Sequence, residues 1–458
     1  MTIQSILQSY ETALNANDID AILDLYGEAP VFMPQHAPAL VGREAVRAGY
    51  QQVFASIKLQ IRFDIHEVEV IGDWAWARTS SAGRTRLLAE DVEIAEGNNE
   101  LFVFRREHGH WKIHRYLFAT NQPRALGATD MKAYVIEQPG GPEVLRLYDI
   151  ASPEPNANEV RIRVRAFGLN RAELYRRAGK MGPIAGPVVP GIEAVGEVLQ
   201  DPAGQFRVGQ RVATAMGGMQ FSRNGSYAEE VTVLRSNVVA LPDSELSWEE
   251  LAALPQAYLT VWGALDRSLA IQPGQTLLVR GATSSVGLAA LTYAKARGLR
   301  VLASTRSAEH TARLRQLGAD QVFIDDGELC ASILAAAPEG VDAALEVVGA
   351  PTLRDSVRCL RPFGSVCVIG LLGGPPLLEQ FQLMQDLPGA TRLSFFPSGL
   401  LGGAYMDLGE SPLGWVVRER TAGRLPSLLS AAFDFDDLPR AHSLMEANRA
   451  FGKFVVRV

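Results

Sequence analysis

Cysteine is scarce in this chain: there are three in 458 residues, Cys330, Cys359 and Cys367, and none forms a C-x-x-C pair. That excludes a disulfide framework and a cysteine zinc lobe, and leaves the thiols as buried apolar side chains. Positive charge is short as well. The 44 Lys and Arg against 51 Asp and Glu leave a net charge of −7, the wrong sign for a nucleic-acid or anionic-membrane partner. No apolar run reaches the roughly 18–20 residues that span a bilayer. Residues 1–10 have neither the basic nor the apolar region of a secretory signal. These absences predict a cytoplasmic protein.

What is present exceeds one ordinary core, so two or three domains are expected. The composition, 47% apolar and 21% charged, is that of a globular protein. Residues 1–122 open with Ile3, Ile6, Leu7, Tyr10 and Leu14 at helical spacing, then alternate at 61–71, 74–79, 101–105 and 111–118. Helices followed by antiparallel strands predict an α+β domain. Residues 123–130 lack periodicity and read as a linker. Short strands broken by Pro and Gly fill 131–252, and 391–458 return to that domain. Between them, 253–390 alternate continuous apolar strands with helices, the pattern of a parallel sheet covered on both faces.

Residues 280–287 read Arg-Gly-Ala-Thr-Ser-Ser-Val-Gly, between an apolar run and a helical stretch. A strand, a turn of small residues and a helix N-terminus are what a nucleotide pyrophosphate needs, because backbone N–H groups can then reach its oxygens. Gly281, Thr283, Ser284, Ser285, Val286 and Gly287 are therefore expected to bind a dinucleotide. The next strand ends in Ser304, Thr305, Arg306 and Ser307, where an NAD site carries an acid. A guanidinium flanked by hydroxyls suits a 2′-phosphate, so the expected cofactor is NADPH. The alternative is that Arg306 is simply a solvated strand-end residue. Two further strands close at Val348-Gly349 and Gly370-Leu371. Val348, Gly370 and Leu371 are thus candidates for the nicotinamide ribose, or these glycines serve only as turns.

Residues 131–458 resemble a zinc-independent medium-chain dehydrogenase/reductase of the quinone oxidoreductase (zeta-crystallin-like) type. The resemblance runs through Gly168-Leu169-Asn170-Arg171-Ala172-Glu173-Leu174-Tyr175, Pro190-Gly191-Ile192-Glu193, Gly225-Ser226-Tyr227-Ala228-Glu229, Thr260-Val261-Trp262-Gly263 and Asn448-Arg449-Ala450-Phe451-Gly452-Lys453. It implies a GroES-like β domain beside an α/β Rossmann domain. The implied reaction is hydride transfer from NADPH to a small hydrophobic quinone or α,β-unsaturated carbonyl compound. It places Asn170 and Thr260 beside the nicotinamide, Tyr175 as a substrate wall or proton donor, and Asn448 and Lys453 with the cofactor. Zinc-dependent relatives use two cysteines and a histidine where this chain has Asn170, Gln256 and Ile192, so no metal is implied. Ser284 and Ser285 stand where glycines are commoner, which leaves the shape of the turn open.

Residues 1–122 resemble the SnoaL-like, ketosteroid-isomerase-like branch of the nuclear-transport-factor-two-like fold, a sheet and helices forming a conical pocket. The resemblance is carried by Tyr10-Glu11-Thr12-Ala13-Leu14-Asn15-Ala16-Asn17-Asp18, Tyr26-Gly27-Glu28-Ala29-Pro30-Val31-Phe32-Met33-Pro34 and Trp111-Lys112-Ile113-His114. Tyr10 matches the isomerase tyrosine, but the base position carries Met33 or Pro34, against isomerase chemistry of that type. His36 and His114 are the remaining candidates for a base in this pocket, although 108–114 reads as an exposed hairpin. The whole is expected to be a fused, homodimeric reductase whose front domain binds substrate or dimerises. A bifunctional tailoring enzyme with a front cyclase or isomerase, and an NADPH-binding scaffold without turnover, are the alternatives.

Overall fold

The computed structural model describes residues 2–35, 38–88, 92–120, 130–184 and 186–458. His36, residues 121–122 and residues 123–129 of the expected linker lie outside the described residues. The chain divides into two compact units, Met1–Ala128 and Thr129–Val458. No helix among the described residues is long and apolar enough to cross a membrane.

In the first unit, α1 (Ile3–Asn15) begins at Thr2, whose hydroxyl accepts from the Ser5 N–H at 3.2 Å. Its apolar residues fall on one face and are buried, as their spacing requires. Asp18 caps α2 (Ile19–Leu25) in the same way. Then follow β1 (Tyr26–Met33), β2 (Leu40–Val41), α3 (Arg43–Ser56), β3 (Ile57–Ile71), β4 (Trp74–Leu87), β5 (Val92–Glu107) and β6 (His110–Thr120). The strands form one sheet in the order β2-β1-β6-β5-β4-β3, antiparallel except for β1 beside β6. The turn between β5 and β6 is His108-Gly109, with φ of 50° and 79°, the pair of positive values that a two-residue hairpin turn demands. His108 and His110 are exposed.

The second unit starts with a ribbon of β7 (Asp130–Val135) and β8 (Arg146–Ala151). It continues through β9 (Glu159–Gly168), α4 (Arg171–Arg177), β10 (Glu193–Gln200), β11 (Arg211–Ala215), β12 (Glu230–Leu234) and β13 (Val238–Ala240). Helices α5 (Trp248–Ala252) and α6 (Pro255–Val261) lead into an alternating series. This consists of β14 (Thr276–Arg280), α7 (Ser285–Ala296), β15 (Arg300–Thr305), α8 (Thr311–Gln316), β16 (Gln321–Ile324), α9 (Cys330–Ala336) and β17 (Val341–Glu346). It ends with α10 (Ala350–Arg358), β18 (Leu360–Val368) and β19 (Arg392–Phe395). These six strands make a parallel sheet in the order β16-β15-β14-β17-β18-β19. The order reverses between β14 and β17, and a ligand crevice opens outside the carboxyl ends of strands at such a point.

Because β19 belongs to this sheet, the return to the β domain comes later than residue 391. It is made by β20 (Leu429–Asp434) and β21 (Lys453–Arg457). They complete a sheet ordered β13-β11-β10-β9-β21-β20, with β12 also paired to β9. Cys359 and Cys367 are buried, whereas Cys330 is only half-buried.

Candidate active site

Arg280, the last residue of β14, is fully buried and cannot be left unpaired. Its Nε and Nη2 donate to Asp325 at 2.9 Å each, and its Nη1 donates to Asp355 at 2.7 Å. Burial pushes the Asp325 carboxyl up, but Arg280 and the Gly327 N–H outweigh that and hold it below its ordinary range. Next comes Gly281, at φ 84°, which a residue with a Cβ rarely adopts. A Cβ there meets Val347 Cβ at 3.2 Å and Val348 Cγ2 at 3.4 Å, so the turn lies against the end of β17.

The two serines settle the shape of the turn. Ser284 is the N-cap of α7 with φ −71° and ψ 160°, and Ser285 is the first helical residue, so neither needs a left-handed backbone. The Ser284 hydroxyl accepts from the Gly287 N–H at 3.1 Å and donates to the Gly281 carbonyl at 3.0 Å. A Cβ on Gly287 falls 2.5 Å from that carbonyl, which is why the third small position must be glycine. Ser285 and Val286 belong to the first turn of the helix, where N–H groups have no helical carbonyl to bond. Thr283 through Val286 are half-buried and within reach of a ligand.

At the end of β15 the structure separates residues that the sequence groups together. Ser304 is buried; its hydroxyl accepts from the Gly281 N–H at 3.2 Å and donates to Asp325 at 3.1 Å. The Thr305 hydroxyl is also buried and exchanges hydrogen bonds with the Ser307 backbone. Only Arg306 of the expected phosphate cluster is exposed. The two hydroxyls brace the turn instead. At the ends of β17 and β18, the Glu346 carboxylate accepts from the Val348 and Gly349 N–H groups at 2.8 and 3.0 Å. A Cβ on Gly370 falls 2.0 Å from the Val347 carbonyl. Gly281, Val348, Gly370 and Leu371 are thus brought together at one edge. The C-terminal segment joins them, since Gly452 forms a β-bridge with Ser284. Phe451 packs on His310 at 4.8 Å, and Asn448 accepts from Arg171 at 2.5 Å.

Sequence reasoning named Asn170 and Lys453 but passed over Glu173 and Glu193, with which they form a buried cluster. The Lys453 ammonium, fully buried, lies 2.5 Å from Glu193 Oε1 and donates to Asn170 Oδ1 at 2.7 Å. Asn170 Nδ2 donates to Glu193 at 2.9 Å and Glu173 at 3.2 Å, and the Gln256 N–H donates to Glu193 Oε2 at 2.9 Å. Burial pushes the Glu173 carboxyl up to about 7, against the pull of Lys453 and Asn170. Gly168 makes room for the lysine, because a Cβ there falls 2.3 Å from Lys453 Cε. Lys453 therefore holds protein groups rather than a cofactor phosphate, and both polar atoms of Asn170 are occupied. Where the resemblance leads one to expect zinc ligands, this chain has Asn170, Ile192 and Gln256, with a lysine ammonium against Asn170. Such a set offers neither thiolate nor imidazole and does not fit the metal. Thr260 Oγ1 accepts from Gln256 Nε2 at 3.3 Å, and Tyr175 is half-buried with the Lys180 ammonium 6.0 Å from its ring. The signal for the cluster was an acid opening the apolar strand Glu193–Gln200.

In the first unit, Tyr10 lies inside, its hydroxyl bonded to that of Tyr50, which also meets Tyr26 at 3.0 Å. His114 is not with them. It is the extra residue at an irregularity in β6, and its ring sits edge-on to Trp74 at 5.0 Å. Trp74 faces away from the buried Ala75 beside it. Burial and the neighbouring Arg115 and Arg105 hold the His114 pKa below the ordinary value.

A doubly wound sheet with a pyrophosphate turn at its switch point, packed in one unit with a β domain, defines a dinucleotide-dependent oxidoreductase. Comparison with known proteins makes the class specific. Residues 285–396 match the zinc-binding dehydrogenase family model, 156–243 the alcohol dehydrogenase GroES-like domain, and 6–114 the SnoaL-like domain. Human quinone oxidoreductase is 33% identical over 261 residues, covering 54% of this chain and 76% of that protein. The quinone oxidoreductase of Pseudomonas aeruginosa is 29% identical over 328 residues, covering 69% and 96%. A mycobacterial protein solved in complex with NADPH superposes with a TM-score of 0.63 at 26% identity, covering 72% of this chain and all 100% of that one. The chain belongs to the quinone oxidoreductase family of medium-chain dehydrogenase/reductases, and it carries a SnoaL-like domain at its N-terminus.

Proposed function

We propose that the chain is an NADPH-dependent reductase that works without zinc and transfers hydride to a quinone or an α,β-unsaturated carbonyl compound. The observation that carries the choice of cofactor is Arg306. It is an exposed guanidinium at the end of β15, while the carboxylate reached by Ser304, Asp325, is already bound to Arg280. The NADPH held by the mycobacterial neighbour supports the same reading.

The first-turn N–H groups of Ser285 and Val286, with Gly281, Thr283, Ser284 and Gly287 shaping the turn, hold the pyrophosphate. Arg306 takes the 2′-phosphate, and Val348, Gly370 and Leu371 line the ribose with backbone. When bound, the nicotinamide supplies hydride to the electron-poor carbon of the substrate. Asn170 and Lys453 act as positioning residues that fix α4 and β10 around the site. Thr260, which accepts from Gln256, borders the nicotinamide, and Tyr175 forms a substrate wall or donates the proton. Asn448 ties the C-terminal segment to α4. Two copies associate; the open edge of the parallel sheet at β19, with Phe395 55% exposed, supports a dimer.

The test is steady-state NADPH oxidation with a panel of quinones and enones. In Arg306→Ala the KM for NADPH rises about 10- to 100-fold, the loss of one charge-assisted contact, and the KM for NADH stays within about twofold. Equal effects on the two cofactors remove Arg306 from the 2′-phosphate site. Dialysis against a chelator leaves turnover unchanged; a loss restored by zinc overturns the metal-free reading.

A further inference from the structure

Helix α6 is packed on most sides. Ala257, Tyr258, Leu259 and Val261 keep 3% or less of their surface open, whereas Gln256 and Thr260 keep 6% and 9%. Residues four apart share a helix face, so one polar face of α6 opens while the rest is closed. That face borders the cofactor edge. The Gln256 N–H and Asn170 Nδ2 both donate to Glu193, at 2.9 Å each. Lys453, bonded to the same carboxylate, follows Gly452, which pairs with Ser284 of the pyrophosphate turn.

The amide of Gln256 is only half used. Nε2 donates to Thr260 Oγ1 at 3.3 Å, but Oε1 is buried and meets no donor among the described residues. A buried polar atom without a partner costs stability, and each one calls for an explanation. A methionine has similar length, is apolar and leaves nothing orphaned, so packing does not call for a glutamine here. What an amide adds is a choice of ends. A half-turn about its last side-chain bond exchanges oxygen and nitrogen within one outline. With Nε2 on Thr260, Oε1 is open and accepts from a hydroxyl. Turned, Oε1 accepts from the Thr260 hydroxyl, and Nε2 is open and donates to a carbonyl.

We propose that Gln256 holds the reacting oxygen of the substrate in both of its states, donating to the carbonyl and, after the half-turn, accepting from the hydroxyl that reduction makes of it. This rests on the reductase reading of the second unit. Hydride added to the conjugated system drives an electron pair onto that oxygen, which then takes a proton. Quinone or enone, NADPH and a proton thus give hydroquinone or enol and NADP+. The oxygen changes from acceptor to donor, and Gln256 and Thr260 follow it by reversing the one hydrogen bond between them. Charge on the oxygen is greatest before the proton arrives, when the Nε2–H points at it, and the contact is strongest there.

The probes are duroquinone, whose methyl groups block addition of thiols, its hydroquinone, and durene, the same ring without oxygen. Each is dialysed to equilibrium against the intact chain in the presence of NADP+. Duroquinone is expected to bind saturably to the unaltered chain. To Gln256→Met both oxygenated probes bind about tenfold or more less tightly, while durene binds the two proteins within about twofold. In turnover, kcat/KM for duroquinone falls about 100-fold, the loss of one donor to a developing oxyanion, and the KM for NADPH stays within about twofold. The urea midpoint of Gln256→Met equals or exceeds that of the unaltered chain. A lowered midpoint makes the glutamine structural and overturns the proposal. Unchanged quinone affinity in Gln256→Met, equal weakening of durene, or no saturable binding to the unaltered chain overturns it as well. Duroquinone binding without NADPH oxidation overturns the reductase reading alone, and the affinities in Gln256→Met still decide the role of Gln256.

Discussion

Each unit buries one glutamate whose carboxyl is pushed up to about 7, Glu100 in the first and Glu173 in the second. Burial is the principal cause in both, yet the surroundings differ in kind. Glu100 is met by three hydroxyls, which can turn and accept as readily as they donate. Glu173 is met by the N–H groups of Asn170 and Ile192, which only donate, within reach of the Lys453 charge. The same shift therefore accompanies an adaptable hydroxyl cluster in one unit and a fixed buttress in the other.

The largest effect separates the two by charge. Lys453→Met leaves Glu193 buried without its cation and destabilises the second unit by about 3–5 kcal/mol. Hydrogen exchange on peptides of the intact chain reads this, and the added change Glu193→Gln recovers much of it. An equal loss in peptides of the first unit breaks the comparison.

Next is the pH dependence of the first unit. The Glu100 carboxyl titrates near 7 when folded and near 4.5 when not. The folded state therefore binds more protons in that window, and stability falls as pH rises through it. The loss is about 3 kcal/mol between pH 4.5 and 7, read by exchange protection across that range and flattened in Glu100→Gln.

The direct contrast comes third. Glu173→Gln turns an N–H towards other N–H groups and costs about 1–3 kcal/mol. Glu100→Gln stays within about 1 kcal/mol at neutral pH because its hydroxyl partners can reverse. Similar costs at the two positions, in urea titrations of the intact chain, dissolve the distinction. The smallest effect tests helix caps in each unit: Thr2→Ala and Ser284→Ala each cost about 1 kcal/mol.

The pyrophosphate turn was legible because its parts are adjacent in the chain. Arg280 to Gly287 contain the strand end, the turn and the helix start, and local backbone geometry does the rest. That Arg306 stands just past the end of a strand was legible for the same reason. Ser304 and Thr305 were misread, since what a hydroxyl bonds depends on Asp325 and on the Gly281 backbone, which the fold delivers from elsewhere. His114 was paired with Tyr10 in a pocket, but a single-residue irregularity in β6 decides which face a side chain takes. Glu100 gave no signal at all, because an acid in an alternating strand reads as solvent-facing until its partners are known.

By itself the sequence determined the fold class, the parallel sheet, the dinucleotide turn and the loss of zinc ligands, because each is written in neighbouring residues and their periodicity. Only the tertiary structure decided which polar groups are free to act. Lys453 meets Asn170 across 283 positions of the chain and Glu100 meets Thr79 across 21. Whether a charged or hydroxyl group reaches a ligand depends on such partners and on the water taken from it by burial.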